Sequence, residues 1–410
     1  MFQFDYKTLR GHDGTEKECR SVLFAGDWGP IRAFSSVMAE YPEGCYGDTL
    51  DVLRKADLRI VNVECALRTD GKPVPKCGPN LFFEEKHLPC LKAGGFEIAT
   101  LANNHVFDYG AEGYQATCRA LDEMGMSYFG AGLNLEEAQR PLIYQLGDIR
   151  IAFCGFTEGH DLSGAAGNRP GPAPWDPCFV RDQAAELKRS CDVVLIVPHG
   201  GIEYSAWPPD YTIDAYRLIA EAKPDAIIAH HPHVPQGFEI FNGVPVFYSQ
   251  GNFLFYQFTE LFYRKQGYLV ELEIARDGVH GFRLHPYGID DRGVHLLKGE
   301  DFATFSDLLG KLSRPLAAEH PYEGYYGALK ERWHENAPAK ELLDSSSSFE
   351  ADPRKAAVVW RNRMTTLQHT HLWVTMFDRV ARGIIEDAPD WSTEMERDFL
   401  HKKSTFPCKK

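Results

Sequence analysis

Three histidines that follow a short apolar run are the residues of this chain best suited to bind a metal ion. His230, His231 and His233 come directly after residues 224–229, a run typical of a strand buried in a parallel sheet. Imidazole is the commonest metal ligand in proteins, and a His-x-His pair beyond a strand can direct both rings at one ion. The cluster therefore indicates a metal site, with a set of packed structural histidines as the alternative.

Polar side chains also occur at the ends of four other apolar runs. Asp27 follows residues 21–26, and His199 follows residues 192–197. Asn62 ends the run 58–62, and Glu64 comes after it. Asn103, Asn104 and His105 follow residues 96–102. In open α/β sheets, ligands bind beyond the carboxyl ends of the strands. Taken singly, such an aspartate can cap a helix, an asparagine can form a turn, and a histidine can pack in a core. The repetition favours one shared site.

The combined side chains have the composition of a metal centre. Carboxylates, an amide oxygen and three imidazoles form a mixed oxygen and nitrogen set that suits Mn, Fe or Zn. Two such ions about 3.5–4 Å apart can hold both the attacking and the leaving oxygen of a substrate. His105, if it is not a ligand, can protonate a leaving group. We therefore predict one or two divalent metal ions as cofactor, with their identity open.

Composition limits the class of protein. The chain has 410 residues, of which 44% are hydrophobic and 25% charged, and its formal net charge is −14. An acidic chain does not suit a nucleic-acid backbone as partner. The ten cysteines are scattered without a C-x-x-C pair, which favours buried thiols in a reducing compartment. With no leader-like N-terminus and no apolar run that approaches about 18 residues, we expect no membrane segment and a cytoplasmic location; the oligomeric state stays open.

The order of apolar runs predicts the elements that must position these residues. Strand-like and helical segments alternate from about residue 20, which indicates a layered α/β architecture. We predict an α/β catalytic domain over 20–295 and a mainly helical extension over 296–410, with helices at 301–316, 324–335 and 355–368. The serine-rich stretch 344–349 reads as a loop. His369 and His371 read as surface residues, because i and i+2 do not share a helix face.

Six motifs together resemble the CapA-type capsule-synthesis (poly-γ-glutamate synthesis) family. They are Gly26-Asp27 with Arg32, Asn62-Val63-Glu64, Ala102-Asn103-Asn104-His105 with Asp108-Tyr109-Gly110, His199-Gly200 with Glu203-Tyr204, His230-His231-Pro232-His233-Val234, and Tyr248-Ser249-Gln250-Gly251-Asn252-Phe253. The resemblance covers about residues 20–290. It implies a calcineurin-like metallophosphoesterase fold, a layered α/β/β/α sandwich to which the C-terminal helical segment is added.

The resemblance also implies roles for individual residues. It makes His105 the catalytic histidine, with Asn103 beside it, and it suggests the metal ligands Asp27, Asn104, His199, His231 and His233. Glu64 is our choice for the bridging carboxylate, with Asn62 as the alternative. Gly29 stands where the wider fold family has a histidine, and the bridging position lacks a Gly-Asp pair. Both departures predict that one metal position is weaker, or that only one ion is held tightly.

Other residues are candidates for the surroundings of this centre. Arg32 is a candidate to bind a phosphate or carboxylate of the substrate, although an ordinary salt bridge is an equal alternative. Glu203 and Tyr204 either line the substrate pocket or anchor a loop. His230 and Asn252 are expected to support the ligands rather than to bind metal. Residues 71–79 read as a loop that overhangs the site.

Three functions are compatible with these residues. The first is a metal-dependent hydrolase, phosphoesterase-like, that acts on a small anionic or peptide-like substrate. The second is an enzyme that forms or cleaves an amide bond of glutamyl peptides, as the resemblance to polyglutamate synthesis suggests. The third is a non-catalytic accessory factor of polymer synthesis, which would have little reason to retain such a ligand set. Fold alone does not choose among substrates.

Overall fold

Buried β-branched and aromatic residues form the strands of two large sheets. The computed structural model describes residues 2–159, 163–255 and 259–404. Its strands are β1 (Gln3–Asp5), β2 (Arg10–His12), β3 (Arg20–Trp28), β4 (Leu58–Val63), β5 (Ala66–Leu67), β6 (Phe82–Phe83), β7 (Ile98–Thr100), β8 (Ser127–Phe129), β9 (Ala131–Gly132), β10 (Leu142–Leu146), β11 (Ile149–Thr157), β12 (Gly171–Pro172), β13 (Val193–His199), β14 (Ala226–Ile228), β15 (Phe238–Phe241), β16 (Val244–Phe247), β17 (Gln266–Ala275), β18 (Gly278–Ile289) and β19 (Val294–Leu296).

Helices cover the sheets and form the C-terminal part of the chain. They are α1 (Ala33–Glu40), α2 (Thr49–Lys55), α3 (Leu88–Ala93), α4 (Gly110–Glu123), α5 (Leu135–Ala138), α6 (Pro177–Leu187), α7 (Asp210–Ala220), α8 (Gly299–Ser313), α9 (Glu323–His334), α10 (Ala337–Ala351), α11 (Pro353–Thr365), α12 (Leu367–Ala381) and α13 (Asp390–His401). Among the residues that the structure describes, none of these helices has both the length and the apolar character needed to cross a membrane.

Each large sheet has parallel strands at its centre. The first sheet has the order β1-β2-β18-β17-β3-β4-β7-β8, with β19 on β18, and the second has the order β10-β11-β13-β14-β16-β15. The strands β3, β4, β7 and β8 pair in parallel, as do β11, β13, β14 and β16. All seven residues of β13 are buried, which is why its sequence is apolar without alternation. The carboxyl ends of parallel strands therefore lie together at one edge of each sheet.

The two sheets pack face to face, with helices on their outer faces. Side chains from both sheets, such as Phe24 of β3 and Phe153 of β11, share one central core. The other face of the first sheet packs against α1 to α4, and the other face of the second sheet packs against α6 and α7. This arrangement confirms the predicted α/β/β/α sandwich. Alternate residues of a strand enter different layers because strand side chains point to opposite faces.

The C-terminal helices belong to the same hydrophobic core. Phe305, Leu309, Tyr325 and Phe399 pack in the central cluster that contains residues of both sheets. The backbone N–H of Phe238 in β15 also donates to Ser313 Oγ at the end of α8, at 3.1 Å. These helices therefore bear directly on the sheet edges that carry the polar residues.

Two sequence predictions for the C-terminal part are wrong. The stretch 344–349 was predicted as a loop, but it lies inside α10. Serine is a moderate helix former, and the hydroxyl of Ser348 donates a hydrogen bond to the carbonyl of Asp344 at 2.7 Å. The single helix predicted over 355–368 is two helices, because the extended backbone of Thr366 separates α11 from α12.

Candidate metal centre

The polar residues predicted at the strand ends meet in one buried cluster. Asp27 lies near the end of β3, and its backbone pairs with that of Asn252; His199 ends β13 and pairs with His230. The cluster comprises Asp27, Asn62, Glu64, Asn103, Asn104, His105, His199, His230, His231, His233 and Asn252, each at most 7% exposed. The structure thus brings together residues that are more than two hundred positions apart in the chain.

Three overlapping groups of side chains have the spacing of a metal site. Glu64, His199 and His231 form one group, Asp27, Glu64 and His233 form a second, and Glu203, His231 and His233 form a third. Within each group the candidate ligand atoms lie within 4.8 Å of one another. Glu64 belongs to the first two groups, the position expected of a carboxylate shared between two ions. Glu203, predicted only as a pocket residue, lies close enough to be a ligand.

Buried polar atoms without hydrogen-bond partners show that the cluster fits a cation. Within the described part of the chain, Glu64 Oε1 and both ring nitrogens of His230 are buried and accept or donate no hydrogen bond. Glu64 Oε1 lies 3.6 Å from His199 Nε2, and His230 Nδ1 lies 3.6 Å from Asp27 Oδ1. Buried polar groups are normally paired, since an unpaired one is costly. A divalent cation among these atoms would satisfy them.

The charge states of His199 and His231 also suit metal binding. Burial, together with the neighbouring imidazoles, lowers the pKa of His199 well below its usual range, and burial lowers the pKa of His231 to about 4. Both rings are therefore neutral near pH 7, the form in which imidazole binds a metal. Burial and the charge of Asp27 raise the pKa of Glu64 well above its usual range. The charge of a divalent ion bound there would favour the ionised form of Glu64.

Three asparagines hold the cluster in place. Asn62 Nδ2 donates to Asp27 Oδ1 at 2.8 Å, and Asn62 Oδ1 accepts from Asn103 Nδ2 at 3.0 Å. Asn62 thus turns its amide nitrogen, not its oxygen, toward the carboxylates. Asn103 Oδ1 accepts from the backbone N–H of His105 at 3.1 Å, which shapes the turn after β7. Asn104 Oδ1 lies 2.8 Å from His199 Nε2, close enough for the amide oxygen and this histidine to bind the same metal ion.

His233 is held between a carboxylate and an amide. Its Nδ1 lies 3.2 Å from Asp27 Oδ2 and 2.9 Å from Asn252 Oδ1. Asn252 thus has the geometry to orient this ring. The ring of Phe255 stacks on His233 at 5.1 Å, and a Cβ at Gly29 would lie 2.9 Å from the ring of Phe255. Phe255 therefore fills the space beside Gly29, the position that departs from the wider fold family.

His105 makes contacts that its sequence motif did not predict. Its Nδ1 lies 2.7 Å from Asp108 Oδ2, so Asp108 fixes the orientation of the ring. Lys76 Nζ donates to Asp108 Oδ1 at 2.7 Å and to the carbonyl of Asn104 at 2.9 Å. The loop 71–79, predicted to overhang the site, therefore places a buried ammonium beside His105. Burial and this ammonium lower the pKa of His105, while the ammonium of Lys76 counters the effect of burial on Asp108, whose pKa is also lowered.

A cavity of about 510 Å³ opens above the cluster. His105, His233 and Glu203 lie in its wall, and Arg32 and Arg264 line it as well. The guanidinium of Arg264 lies 3.5 Å from the centre of the Tyr204 ring, and its Nε is buried with no hydrogen-bond partner in the described residues. Arg264 was not predicted, since one arginine in a loop gives no sequence signal. Two guanidinium groups at the mouth suit an anionic ligand.

Four residues of this region have left-handed backbone conformations that residues other than glycine rarely adopt. The φ angles are 51° at Arg32, 64° at Tyr204, 107° at His231 and 58° at His233. Such conformations cost about 1–3 kcal/mol each and cluster at functional sites. Their occurrence around the same cavity supports a functional role for it.

Glu158 is a further buried carboxylate, located between the second sheet and the loop after β13. Its Oε1 accepts from the backbone N–H of Gly201 at 2.6 Å and from the Tyr211 hydroxyl at 2.7 Å. Its Oε2 is buried without a partner among the described residues. Burial raises the pKa of Glu158 to about 8, from an ordinary value of 4.5.

We expect this carboxyl group to make the stability of the protein depend on pH. Between pH 4.5 and about 8 the carboxyl group of Glu158 keeps its proton in the folded state but releases it in the unfolded chain. The stabilisation of the folded state by this proton is therefore full below pH 4.5 and is lost as the pH rises through about 8. In Glu158→Gln the decline of the melting temperature between pH 5 and 8 should be smaller than in wild type. Glu123→Gln, an exposed site on α4, is the control. If the melting temperatures of wild type and Glu158→Gln fall equally between pH 5 and 8, the prediction is contradicted.

The C-terminal helices supply residues that the sequence did not point to. Gln368 is 3% exposed, and its Oε1 lies 3.4 Å from His231 Nε2. The prediction that His369 and His371 are surface residues is wrong. His369 Nε2 accepts from Arg363 Nη1 at 2.9 Å, and His371 Nε2 lies 2.5 Å from Asp210 Oδ1. Their helix packs against the sheets, so that both rings are half-buried at this interface.

The layered α/β sandwich brings carboxylate, amide and imidazole side chains into one buried cluster that could hold a metal ion. The family model described as bacterial capsule synthesis protein PGA_cap matches residues 21–257, more than half of the chain. The chain belongs to this family, which confirms the resemblance drawn from the six motifs.

Curated relatives carry names that refer to PGA biosynthesis, capsule biosynthesis or polyglutamine synthesis. The chain is 34% identical over 213 residues to the PGA biosynthesis protein CapA of Bacillus subtilis, covering 50% of this chain and 54% of that protein. It is 30% identical over 224 residues to a probable polyglutamine synthesis accessory protein of Mycobacterium tuberculosis, covering 50% of this chain and 58% of that protein. The chain thus spans about half the length of the curated relatives it matches.

A solved structure is similar at low sequence identity. It is a putative 5'-nucleotidase from Staphylococcus aureus in complex with alpha-ketoglutarate, with a TM-score of 0.42 and 17% identity, covering 70% of this chain and 58% of that chain.

Proposed function

We propose that this protein is a metal-dependent hydrolase that acts on phosphoesters or related anionic substrates. The observation that carries the proposal is the buried cluster in which Glu64 is shared by two groups of candidate ligands and keeps an oxygen without a hydrogen-bond partner. Asp27, Glu64, His199, His231 and His233 would hold the metal, with Asn104 and Glu203 as further ligands. One or two divalent ions bound there would act as Lewis acids toward the substrate and neutralise the buried carboxylates.

The remaining residues of the cavity would handle charge and protons. His105 lines the cavity, and because its Nδ1 lies 2.7 Å from Asp108 Oδ2, its Nε2 is the nitrogen that would face a leaving group and, when the ring carries both protons, deliver one to it. Lys76 keeps Asp108 ionised and in place. Arg32 and Arg264 would bind an anionic part of the substrate at the mouth of the cavity. The aromatic rings of Tyr204 and Phe255 restrict the room for water there.

A second candidate function is chemistry at an amide bond of a glutamyl peptide. It is favoured by the names of the relatives, which refer to polyglutamate and capsule biosynthesis. The same arginines would then bind a carboxylate of the peptide instead of a phosphate. An accessory role without catalysis is the third possibility, suggested by the names of the mycobacterial relatives.

One experiment separates these functions. Purified protein is treated with a chelator, reconstituted with Mn²⁺, Fe²⁺ or Zn²⁺, and assayed on phosphomonoesters, phosphodiesters and γ-glutamyl amides, with and without ATP. Metal-dependent release of phosphate supports the proposal. Turnover of γ-glutamyl amides, or a requirement for ATP, supports the second candidate. Metal uptake without turnover of any substrate would favour the accessory role, and a failure to take up metal would contradict the site assignment.

We expect Arg264→Met to weaken the binding of anionic substrates. A hydrogen bond to a charged group contributes about 1.5–3 kcal/mol, so KM should rise by about ten- to a hundredfold. The change in kcat should be smaller, because Arg264 lies at the cavity wall and not among the candidate ligands. Steady-state kinetics would measure both parameters.

Arg283→Met on β18 is the matched control, since Arg283 is exposed and lies outside the cavity. Its KM should equal that of wild type. If Arg264→Met lowers kcat and leaves KM unchanged, Arg264 does not bind the substrate in the ground state.

A further inference from the structure

The N-terminal end of α12 lies against the candidate metal centre, although it is far outside the region that the family model matches. Gln368, the second residue of this helix, is 3% exposed. Its Oε1 is 3.4 Å from Nε2 of His231, which belongs to two of the three candidate ligand groups. The region that the family model matches ends at residue 257, more than a hundred positions before Gln368.

Further contacts fix the position of Gln368 relative to the cluster. The main chain of Gln368 lies near the carboxyl group of Glu158 and partly offsets the rise in its pKa. One turn along the helix, His371 Nε2 lies 2.5 Å from Asp210 Oδ1, and the ring of Tyr211 packs edge-on against His371 at 4.6 Å. Because these partners belong to the second sheet and to the start of α7, the helix cannot shift without breaking several buried contacts.

The geometry assigns different tasks to the two nitrogens of His231. Nδ1 lies 3.1 Å from His199 Nε2, on the side where Glu64 completes the ligand group. Nε2 faces the amide oxygen of Gln368, which can only accept a hydrogen bond. Nε2 therefore carries the proton, and Nδ1 presents its lone pair toward His199 and Glu64. Histidines that bind metals usually donate their second ring N–H to an oxygen in this way.

We propose that Gln368 is a positioning residue that fixes the tautomer and ring orientation of His231, and through it the metal affinity of the group formed by Glu64, His199 and His231. The inference rests on the metal centre of the proposed function. It makes the C-terminal helices a part of this centre and not only a cover for the sheets. Gln368 itself does not touch the substrate or the metal.

The test compares metal binding in full-length variants of Gln368. Gln368→Leu and Gln368→Ala both remove the oxygen acceptor, and Gln368→Glu retains one. Chelator-treated proteins are titrated with Mn²⁺ and with Zn²⁺ in a calorimeter. We expect the first two variants to lose about ten- to a hundredfold in affinity at one position, and Gln368→Glu to bind at least as tightly as wild type. Val374→Ala, on the exposed face of the same helix, should bind as wild type does.

A second measurement reads the tautomer without metal. Nitrogen NMR of the histidine rings in metal-free protein should show His231 protonated at Nε2 in wild type and Gln368→Glu, with the proton redistributed in Gln368→Leu. If wild type binds metal but the Leu and Ala variants bind it equally well and keep the same tautomer, the proposal is overturned. If wild type binds no metal, the proposed function fails as well, and the two failures are thus distinguishable.

Discussion

Glu64→Gln is expected to bind far less divalent metal than wild type and to lose catalysis by about a thousandfold or more. Glu64 belongs to two ligand groups, so its loss affects both candidate metal positions. A bound metal contributes several kcal/mol of transition-state stabilisation, and each ~1.4 kcal/mol is a tenfold change in rate. Elemental analysis of the purified variant and phosphoesterase kinetics would measure the two effects.

The same substitution should not destabilise the metal-free protein. Glu64 is buried beside Asp27, and glutamine keeps its shape while removing the like-charge repulsion between the two carboxylates. The melting temperature of chelator-treated Glu64→Gln should therefore equal or exceed that of chelator-treated wild type. This outcome distinguishes the loss of a ligand from the loss of the fold.

A remote carboxylate–imidazole pair supplies the control. Glu271 of β17 accepts a hydrogen bond from His285 of β18 at 2.7 Å, away from the cluster. Glu271→Gln should retain the metal content and turnover of wild type. If Glu64→Gln binds as much metal as wild type, Glu64 is not the shared ligand, and Asn62 would regain its place as the alternative.

His105→Gln is expected to lower kcat by about a hundred- to ten-thousandfold while the metal content stays at the wild-type level. This is the usual contribution of a positioned general acid. His105 belongs to none of the three ligand groups found among the described residues, so its removal should leave them intact. The loss should be smaller for substrates with nitrophenol leaving groups, because such groups depart without a proton. Turnover of alkyl and nitrophenyl phosphates by the variant would measure this difference.

His285→Gln is the matched control, since it removes a histidine that also contacts a carboxylate. It should change neither kcat nor metal content. A His105→Gln variant that loses metal together with activity would show that His105 supports the metal centre. An equal loss on both kinds of substrate would contradict the role of His105 as the acid for the leaving group.

The strand ends that carry Asp27, Glu64, Asn104 and His199 could be found from local sequence. Each follows a short apolar run, and such runs pair in parallel with their carboxyl ends at one edge. The convergence of these residues is therefore a consequence of topology that the order of the runs already contains. The left-handed backbone conformations of His231 and His233 had no signal in the sequence.

Other members of the site had no local signal. Lys76 approaches His105 from a loop, and Arg264 approaches the cavity from a segment that precedes β17. A single lysine or arginine in a loop is usually a solvated surface residue. Only the packing of the loop over the sheet edge buries the Lys76 ammonium between Asp108 and His105.

Apolar periodicity and strand-end side chains were sufficient to predict a layered α/β fold and the buried cluster, because both signals act over a few residues. The α/β/β/α sandwich and the family were implied by the resemblance of six motifs to a known family. The tertiary structure alone decided that residues beyond 300 share the central core, that α10 runs through the serine stretch, and that Gln368 reaches His231. The contact between Gln368 and His231, for example, joins residues that are 137 positions apart. Helix amphipathicity indicates that a face is buried, but it does not tell which surface buries it.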